Sequence, residues 1–283
     1  MNKSETSTYV SSGAITRILV LTLGAGIFLL LFFADKTNLT NTPEVVIGTG
    51  ARASAPSKLP PLAPDEKLDG WISSLDKKTG EEKVGILDSI VITLQARNRF
   101  DYASDYADQL VTLERSLERK ALAGILSQKA SDLEYVGNDS SLLRRYSARA
   151  IQYLEEVTTA QPANTEALLS LGLAYIASRQ QENSMKGILT IRKVLEVDPG
   201  NVDAGFQLGL FAMQTNQFDR AEERFSQVLE REPENEPAML QLALAQIQLG
   251  KPEEARKRLD GLIQKAKDNE IRIAARQVLQ SLP

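Results

Sequence analysis

NTEALLSLGLAY (164–175), NVDAGFQLGLFA (201–212) and NEPAMLQLALAQ (235–246) open alike, and their likeness decides the fold. Each starts with Asn, a residue suited to the N-cap of a helix. Each continues with apolar residues at helical spacing. The starts lie 37 and 34 residues apart. A second helical pattern follows every opener: MKGILTIRKVLEVDP (185–199), DRAEERFSQVLEREP (219–233) and EEARKRLDGLIQKAKD (253–268). Pro199 and Pro233 close the first two, and Pro162 closes an earlier helix in AIQYLEEVTTAQPAN (150–164). A period near 34 residues, with two helices in each period, predicts stacked helical hairpins. No single hairpin can bury its apolar stripe without a neighbour.

The residues at these positions resemble the tetratricopeptide repeat family. Its 34-residue unit carries a Leu-Gly pair with a large residue one turn on. Its second helix carries a small residue, a large one and a terminal Pro. Leu171, Gly172 and Tyr175 match the first helix, and Gly187, Ile191, Val194 and Pro199 the second. The next unit offers Leu208, Gly209, Ala221, Phe225, Val228 and Pro233, and the third Leu242, Ala243, Ala255, Leu259 and Leu262. Lys267 stands where the third Pro is expected. The first unit has three additional residues, placed in the turn around Gln180–Asn183. The implied repeats are 164–200, 201–234 and 235–267 within a region 164–270, closed by a capping helix over 271–283.

Upstream the pattern is weaker. Lys83–Leu113 reads as two helices around a turn at Asn98–Arg99, and Phe100, Ala103, Tyr106 and Ala107 repeat the second-helix pattern. Leu113–Tyr135 reads as one long helix and Ser140–Thr158 as another, with Ala150, Leu154 and Val157 in repeat register. Residues 79–163 are therefore either degenerate hairpins of the same kind or a distinct helical bundle.

Before the helices lies a Pro/Ala/Ser-rich stretch, 35–78, in which Pro56, Pro60, Pro61 and Pro64 forbid a continuous helix. It reads as a flexible tether, with Trp71 at the start of the ordered region. Ile18–Phe33 contains no charge, and with Ala34 it makes a short membrane span over 18–34 between Arg17 and Lys36. A cleaved signal peptide is the alternative. The 17-residue tail, 1–17, is expected to stay cytoplasmic, which places the C-terminal part on the periplasmic side of a bacterial inner membrane. The fold class expected is all-α: a right-handed αα-solenoid of helical hairpins behind one N-terminal transmembrane helix.

Composition limits the chemistry. The chain of 283 residues has neither Cys nor His, so thiolate, imidazole and Cys/His metal chemistry are excluded. A net charge of −4 argues against nucleic acid as a partner. Carboxylate, Lys or Tyr chemistry stays open to this composition, but no carboxylate pair or catalytic motif stands out; no catalytic residue, cofactor or metal is expected, and the protein is read as a non-enzyme.

The expected activity is binding. By the resemblance, the first helices line an inner face made of Leu169, Leu173, Ile176, Phe206, Gln207, Leu210, Met213, Gln214, Leu240, Gln241, Leu244 and Gln248. Apolar anchors with amide rims suit a protein or peptide partner. The Lys/Asn/Arg carboxylate clamp of one subset of the family is not matched, because Leu169, Leu173, Phe206 and Leu210 occupy that stretch. Arg256, Lys257, Arg258, Lys265 and Lys267 read as solvated surface, or alternatively as a contact for anionic lipid or an acidic partner. The layout resembles membrane-anchored repeat scaffolds of bacterial envelopes that assist complex assembly. The alternatives are a cytochrome c biogenesis-type assembly factor and a self-association module. The bilayer is the second expected partner, through 18–34.

Overall fold

The computed structural model describes residues 59–282. The span at 18–34 and most of the tether lie outside the described residues. Among the described residues no helix is long and apolar enough to cross a membrane.

Thirteen α-helices follow one another with no strand among the described residues. They are α1 Glu66–Ser74, α2 Gly80–Ala96, α3 Phe100–Leu113, α4 Leu117–Ser131, α5 Glu134–Gly137, α6 Ser140–Ala160, α7 Thr165–Ala177, α8 Gln181–Val197, α9 Val202–Gln214, α10 Phe218–Arg231, α11 Glu236–Gln248, α12 Pro252–Lys265 and α13 Asn269–Ser281. The described residues fall into two compact units, one up to Leu208 and one from Gly209, so that α9 is divided between them.

The packing order in the first unit is that of a tetratricopeptide-like solenoid. Helix α2 packs on α3, α3 on α4, α4 on α6, and α6 on α7, which pairs with α8. Helix α4 also reaches α7, the contact between first helices of successive hairpins. In the second unit α10 packs on α11, α11 on α12, and α13 closes on both α12 and α11.

One side-chain register runs through five second helices. Ala103, Ala107 and Leu110 of α3 are buried; so are Ala150, Leu154 and Val157 of α6 and Gly187, Ile191 and Val194 of α8. Ala221, Phe225 and Val228 of α10 and Ala255, Leu259 and Leu262 of α12 complete the set. The spacing i, i+4, i+7 puts each trio on one helical face. The same burial register therefore recurs in α3 and α6 of 79–163.

The hairpin turns repeat at the backbone level too. Asn98, Asn216 and Gly250 take positive φ of 54°, 57° and 73°. The next residue then donates its N–H back to the helix, from Arg99 to Leu94, Gln217 to Ala212 and Lys251 to Gln246, at 2.9, 2.8 and 2.8 Å. This left-handed closure satisfies carbonyls that the helix end would otherwise leave open. Arg179 has φ 55° in the α7–α8 turn.

Three sequence expectations change. The additional residues of the 164–200 repeat do not enlarge its turn. They lengthen the second helix at its start, since α8 has 17 residues and α10 has 14. The segment from Leu113 to Tyr135 is not one helix: α3 ends at Leu113, and Ser116 caps α4 by accepting from the Arg119 N–H at 3.2 Å. Helix α4 then stops at Ser131, and Tyr135 lies in the single turn α5. The stretch 35–78 is not tether to its end, because α1 forms with Asp65 as its cap, accepting from the Leu68 N–H at 2.8 Å. Trp71 packs half-buried on the first core, with the Lys67 ammonium 4.8 Å above its ring.

Arg99 fastens the chain before α1. Its guanidinium donates to the carbonyls of Pro60 and Pro61 at 2.6 and 3.1 Å and pairs with the fully buried Asp101 at 2.8 Å. A buried carboxylate is tolerated only when its charge is matched in this way. A polar seam adds to the upstream packing. Ser104 meets Ser127 at 2.7 Å, Arg149 donates to Ser104 and Asp105, and the Tyr153 hydroxyl donates to Asp108 at 2.6 Å.

Candidate partner-binding site

The repeat Asn residues set the first helices in place. Asn164, Asn201 and Asn235 accept from the N–H of Ala167, Ala204 and Ala238 at 3.0, 3.0 and 2.9 Å. Each Asn also donates its amide back three residues, to Gln161, Asp198 and Glu232 at 2.9, 3.2 and 2.8 Å. One side chain therefore fixes both the start of a first helix and the exit of the preceding second helix. The acceptors Gln161, Asp198 and Glu232 stand just before Pro162, Pro199 and Pro233. The Pro holds that residue in extended backbone.

Close approach of the paired helices depends on glycine. A Cβ on Gly172 would lie 2.5 Å from Ile191 Cγ1 and 2.9 Å from the Gly187 carbonyl oxygen; one on Gly209 would lie 2.6 Å from the Phe225 ring. Gly124 of α4 plays the same part, with Leu154 Cγ 2.7 Å from its would-be Cβ.

The residues proposed to line an inner face divide between the two units, and each set is described in its own unit. In the first, Leu169, Leu173 and Ile176 are half-buried on α7 at i, i+4, i+7. Phe206 and Gln207 are half-buried at the start of α9. In the second, Leu210, Met213, Leu240, Gln241 and Leu244 are buried and present little surface, while Gln248 is half-buried and Gln214 exposed. The α7 stripe and Phe206 are the parts of the set that keep apolar surface available. Gln241 is also unusual, since its buried side-chain oxygen has no hydrogen-bond partner.

The α7 stripe is held rigidly. The Tyr175 hydroxyl donates to the Glu155 carboxylate of α6, and burial, then this hydrogen bond, pushes the Tyr175 phenol well above the ordinary tyrosine range. A polar cleft of about 730 Å³ opens between α6 and the α7–α8 turn, where Arg144, Gln152, Arg179 and Asn183 are among the lining residues. Sequence reasoning did not find it. Its one signal was the additional residues near Gln180, which the Asn183 amide ties to the Ser178 hydroxyl at 3.0 Å and to Gln180 at 3.2 Å.

With this geometry in place, comparison with known proteins is direct. A family model described as tetratricopeptide repeat matches residues 217–279. Residues 217–279 carry tetratricopeptide repeats. A tetratricopeptide repeat protein from Parabacteroides merdae superposes with a TM-score of 0.56 at 15% identity, over 75% of this chain and 77% of that one. A thermophilic TPR protein of Thermus thermophilus superposes with a TM-score of 0.52 at 18% identity, over 68% of this chain and 96% of that one. At these identities the likeness is one of fold. No curated protein matches the sequence. The tetratricopeptide register found in α10–α12 is the one that recurs in α3, α6 and α8.

Proposed function

We propose that this protein is a membrane-tethered scaffold whose tetratricopeptide repeats hold a protein or peptide partner in the assembly of an envelope complex. The observation that carries the proposal is the stripe Leu169, Leu173 and Ile176. These are three aliphatic side chains on one face of a repeat first helix, left half-exposed while Ala167, Leu168, Leu171, Ala174 and Tyr175 of the same helix are buried. Water contact with such a stripe costs free energy that a partner's apolar side chains would recover. The uncharged run 18–34 serves as the anchor, and the repeats stand on the periplasmic side of the inner membrane. The sequence has no Cys or His, and the role we assign is recognition.

A photoreactive residue at Leu173, in the membrane-embedded full chain, tests this directly. Protein adducts are expected there and not from the exposed Arg231. If adducts are no more frequent at Leu173 than at Arg231, the proposal fails. A cytochrome c biogenesis-type factor would give adducts with a haem-free cytochrome polypeptide, and a self-association module would give adducts between two copies of this chain.

A further inference from the structure

The second unit contains a cleft of about 570 Å³ between the start of α11 and the outer part of α12. Met239 and Leu262 are among its apolar lining residues, and Lys257, Arg258 and Lys265 supply positive charge. The basic residues near the C-terminus are therefore gathered at a concavity and are not simply scattered over solvated surface.

The acidic groups nearby are already engaged. The Glu236 carboxylate accepts the backbone N–H groups of Lys267 and Asp268 at 2.6 and 3.1 Å. Glu234 pairs with Lys267 at 3.0 Å, and Glu254 accepts from the Gln246 amide at 3.1 Å. Glu222 pairs with Lys251 at 2.6 Å. Lys257, Arg258 and Lys265 form no ion pair among the described residues, and the four basic residues of the lining, with Lys267, outnumber its three carboxylates, Glu234, Glu236 and Glu254, by one.

Arg258 is the unusual member. It is half-buried, and its buried Nε has no hydrogen-bond partner among the described residues. Burial holds its pKa below the ordinary guanidinium value, against the pull of Glu254 and Glu222. A desolvated cation that its own chain leaves unpaired lowers stability, and such residues persist where a ligand supplies the missing charge. Guanidinium is the group best shaped for a carboxylate, which it can grip through two N–H donors.

We propose that this cleft binds a partner polypeptide through a carboxylate that meets Arg258 and an adjacent apolar side chain that rests on the half-buried Met239. The proposal rests on the scaffold reading for the class of partner and adds a second contact, outside the α7 stripe. A membrane surface fits less well. A planar layer of anionic headgroups could not enter a cleft as a single side chain can.

The test uses the full chain in phosphatidylcholine nanodiscs and labelled twelve-residue peptides. In each peptide one Asp or Glu is flanked by Leu, Ile or Phe, and its control carries Asn or Gln in the acidic position. Acidic peptides are expected to bind at least tenfold more tightly than their amide controls, and less tightly as salt is raised. Two variants are compared. Arg258→Met keeps the aliphatic stem and removes the charge. Gly261→Leu fills the cleft from a helical position whose Cβ would meet nothing within 4 Å. Both should lose peptide binding at least tenfold while keeping the Leu173 crosslinks, and Arg258→Met should unfold at the same or a higher temperature than the parent.

Equal binding of acidic and amide peptides overturns the proposal, as does undiminished binding by both variants. A lowered unfolding temperature in Arg258→Met would assign Arg258 to structure and overturn it as well. So would Arg258-dependent flotation of the nanodiscs with phosphatidylglycerol vesicles. Loss of the Leu173 crosslinks in the parent chain would instead count against the scaffold reading.

Discussion

Replacing Gly187 with Ala tests whether the α7–α8 hairpin is set by backbone contact. In most helices this substitution helps, by about 1 kcal/mol of intrinsic propensity. Here the new methyl would lie 2.6 Å from the Gly172 carbonyl oxygen and 2.6 Å from Ile176 Cγ1. The isoleucine can rotate, but the carbonyl belongs to the facing helix and can retreat only if α7 moves. Overpacking of this kind costs about 1–3 kcal/mol, and an obstacle made of backbone belongs in the upper part of that range. Set against the propensity gain, the expected net loss is about 1–2 kcal/mol. Gly85→Ala in α2 is the control, because nothing lies within 4 Å of its would-be Cβ. It should gain about 0.5–1 kcal/mol. Urea unfolding read by fluorescence reports on the right unit, since the chain has 1 Trp and Trp71 packs in the core of the first unit. Gly172→Ala presses on the same interface from the other side, meeting the Gly187 oxygen at 2.9 Å. Once one methyl has parted the helices the second costs less, so the double variant should fall short of the sum by about 0.5 kcal/mol or more. If Gly187→Ala raises the urea midpoint as Gly85→Ala does, close backbone approach does not set this hairpin.

Three further outcomes follow from named contacts. Asn235→Ala removes the N-cap of α11 and its link to Glu232, and should destabilise the fold by about 1 kcal/mol, measured from urea unfolding followed by far-UV circular dichroism. Arg99→Ala leaves Asp101 buried without its cation, an expected loss of about 3–5 kcal/mol, and frees the backbone at Pro60 and Pro61; limited proteolysis should show new cleavage near that segment. The Tyr153 phenol is raised to about 12, first by burial and then by its hydrogen bond to Asp108. The unfolded chain therefore loses this proton first. Stability should decline as pH rises from about 10 to about 12, and Tyr153→Phe should flatten that part of the profile, followed by ultraviolet absorbance of tyrosinate and by unfolding midpoints.

The sequence made the hairpins over 164–267 legible because their signals are local. Asn caps, Leu-Gly pairs and terminal prolines all act within a few residues of themselves. Gly124 escaped notice because it lacks the preceding Leu of the Leu-Gly pair, and its role appears only against Leu154 of a different helix. The break at Glu114–Ser116 escaped for a related reason. SLERKALAGILSQKAS is a good helical sequence throughout, and only the Ser116 cap shows where it begins. The inner-face residues were harder still. Periodicity states which side chains share a face but not how far a neighbour covers that face. Leu169 and Leu240 therefore looked alike in sequence, yet one is half-buried and the other 4% exposed. Arg258 was read with its charged neighbours as surface because its desolvation depends on residues from two helices.

The upstream hairpins show what a degenerate repeat preserves. The position seven residues before the left-handed turn is Gly172, Gly209 or Ala243 in the clear repeats, facing Ile191, Phe225 or Leu259 in the register. In α2 the same position is Val91, and the second-helix residue shrinks to Ala107; both are buried in one cluster. The volume has moved from one helix to the other, and the space between them stays filled. Close packing constrains that sum far more tightly than either side chain alone. A search for Leu-Gly therefore fails at α2–α3 although the hairpin is intact. The same argument bears on binding. Volume exchanged within a hairpin leaves its outward faces free to vary, so an array of this kind can alter its partner surface without loosening its core. The half-exposed α7 stripe and the charged cleft beside α12 are the two surfaces proposed here for partners, each built on a hairpin core.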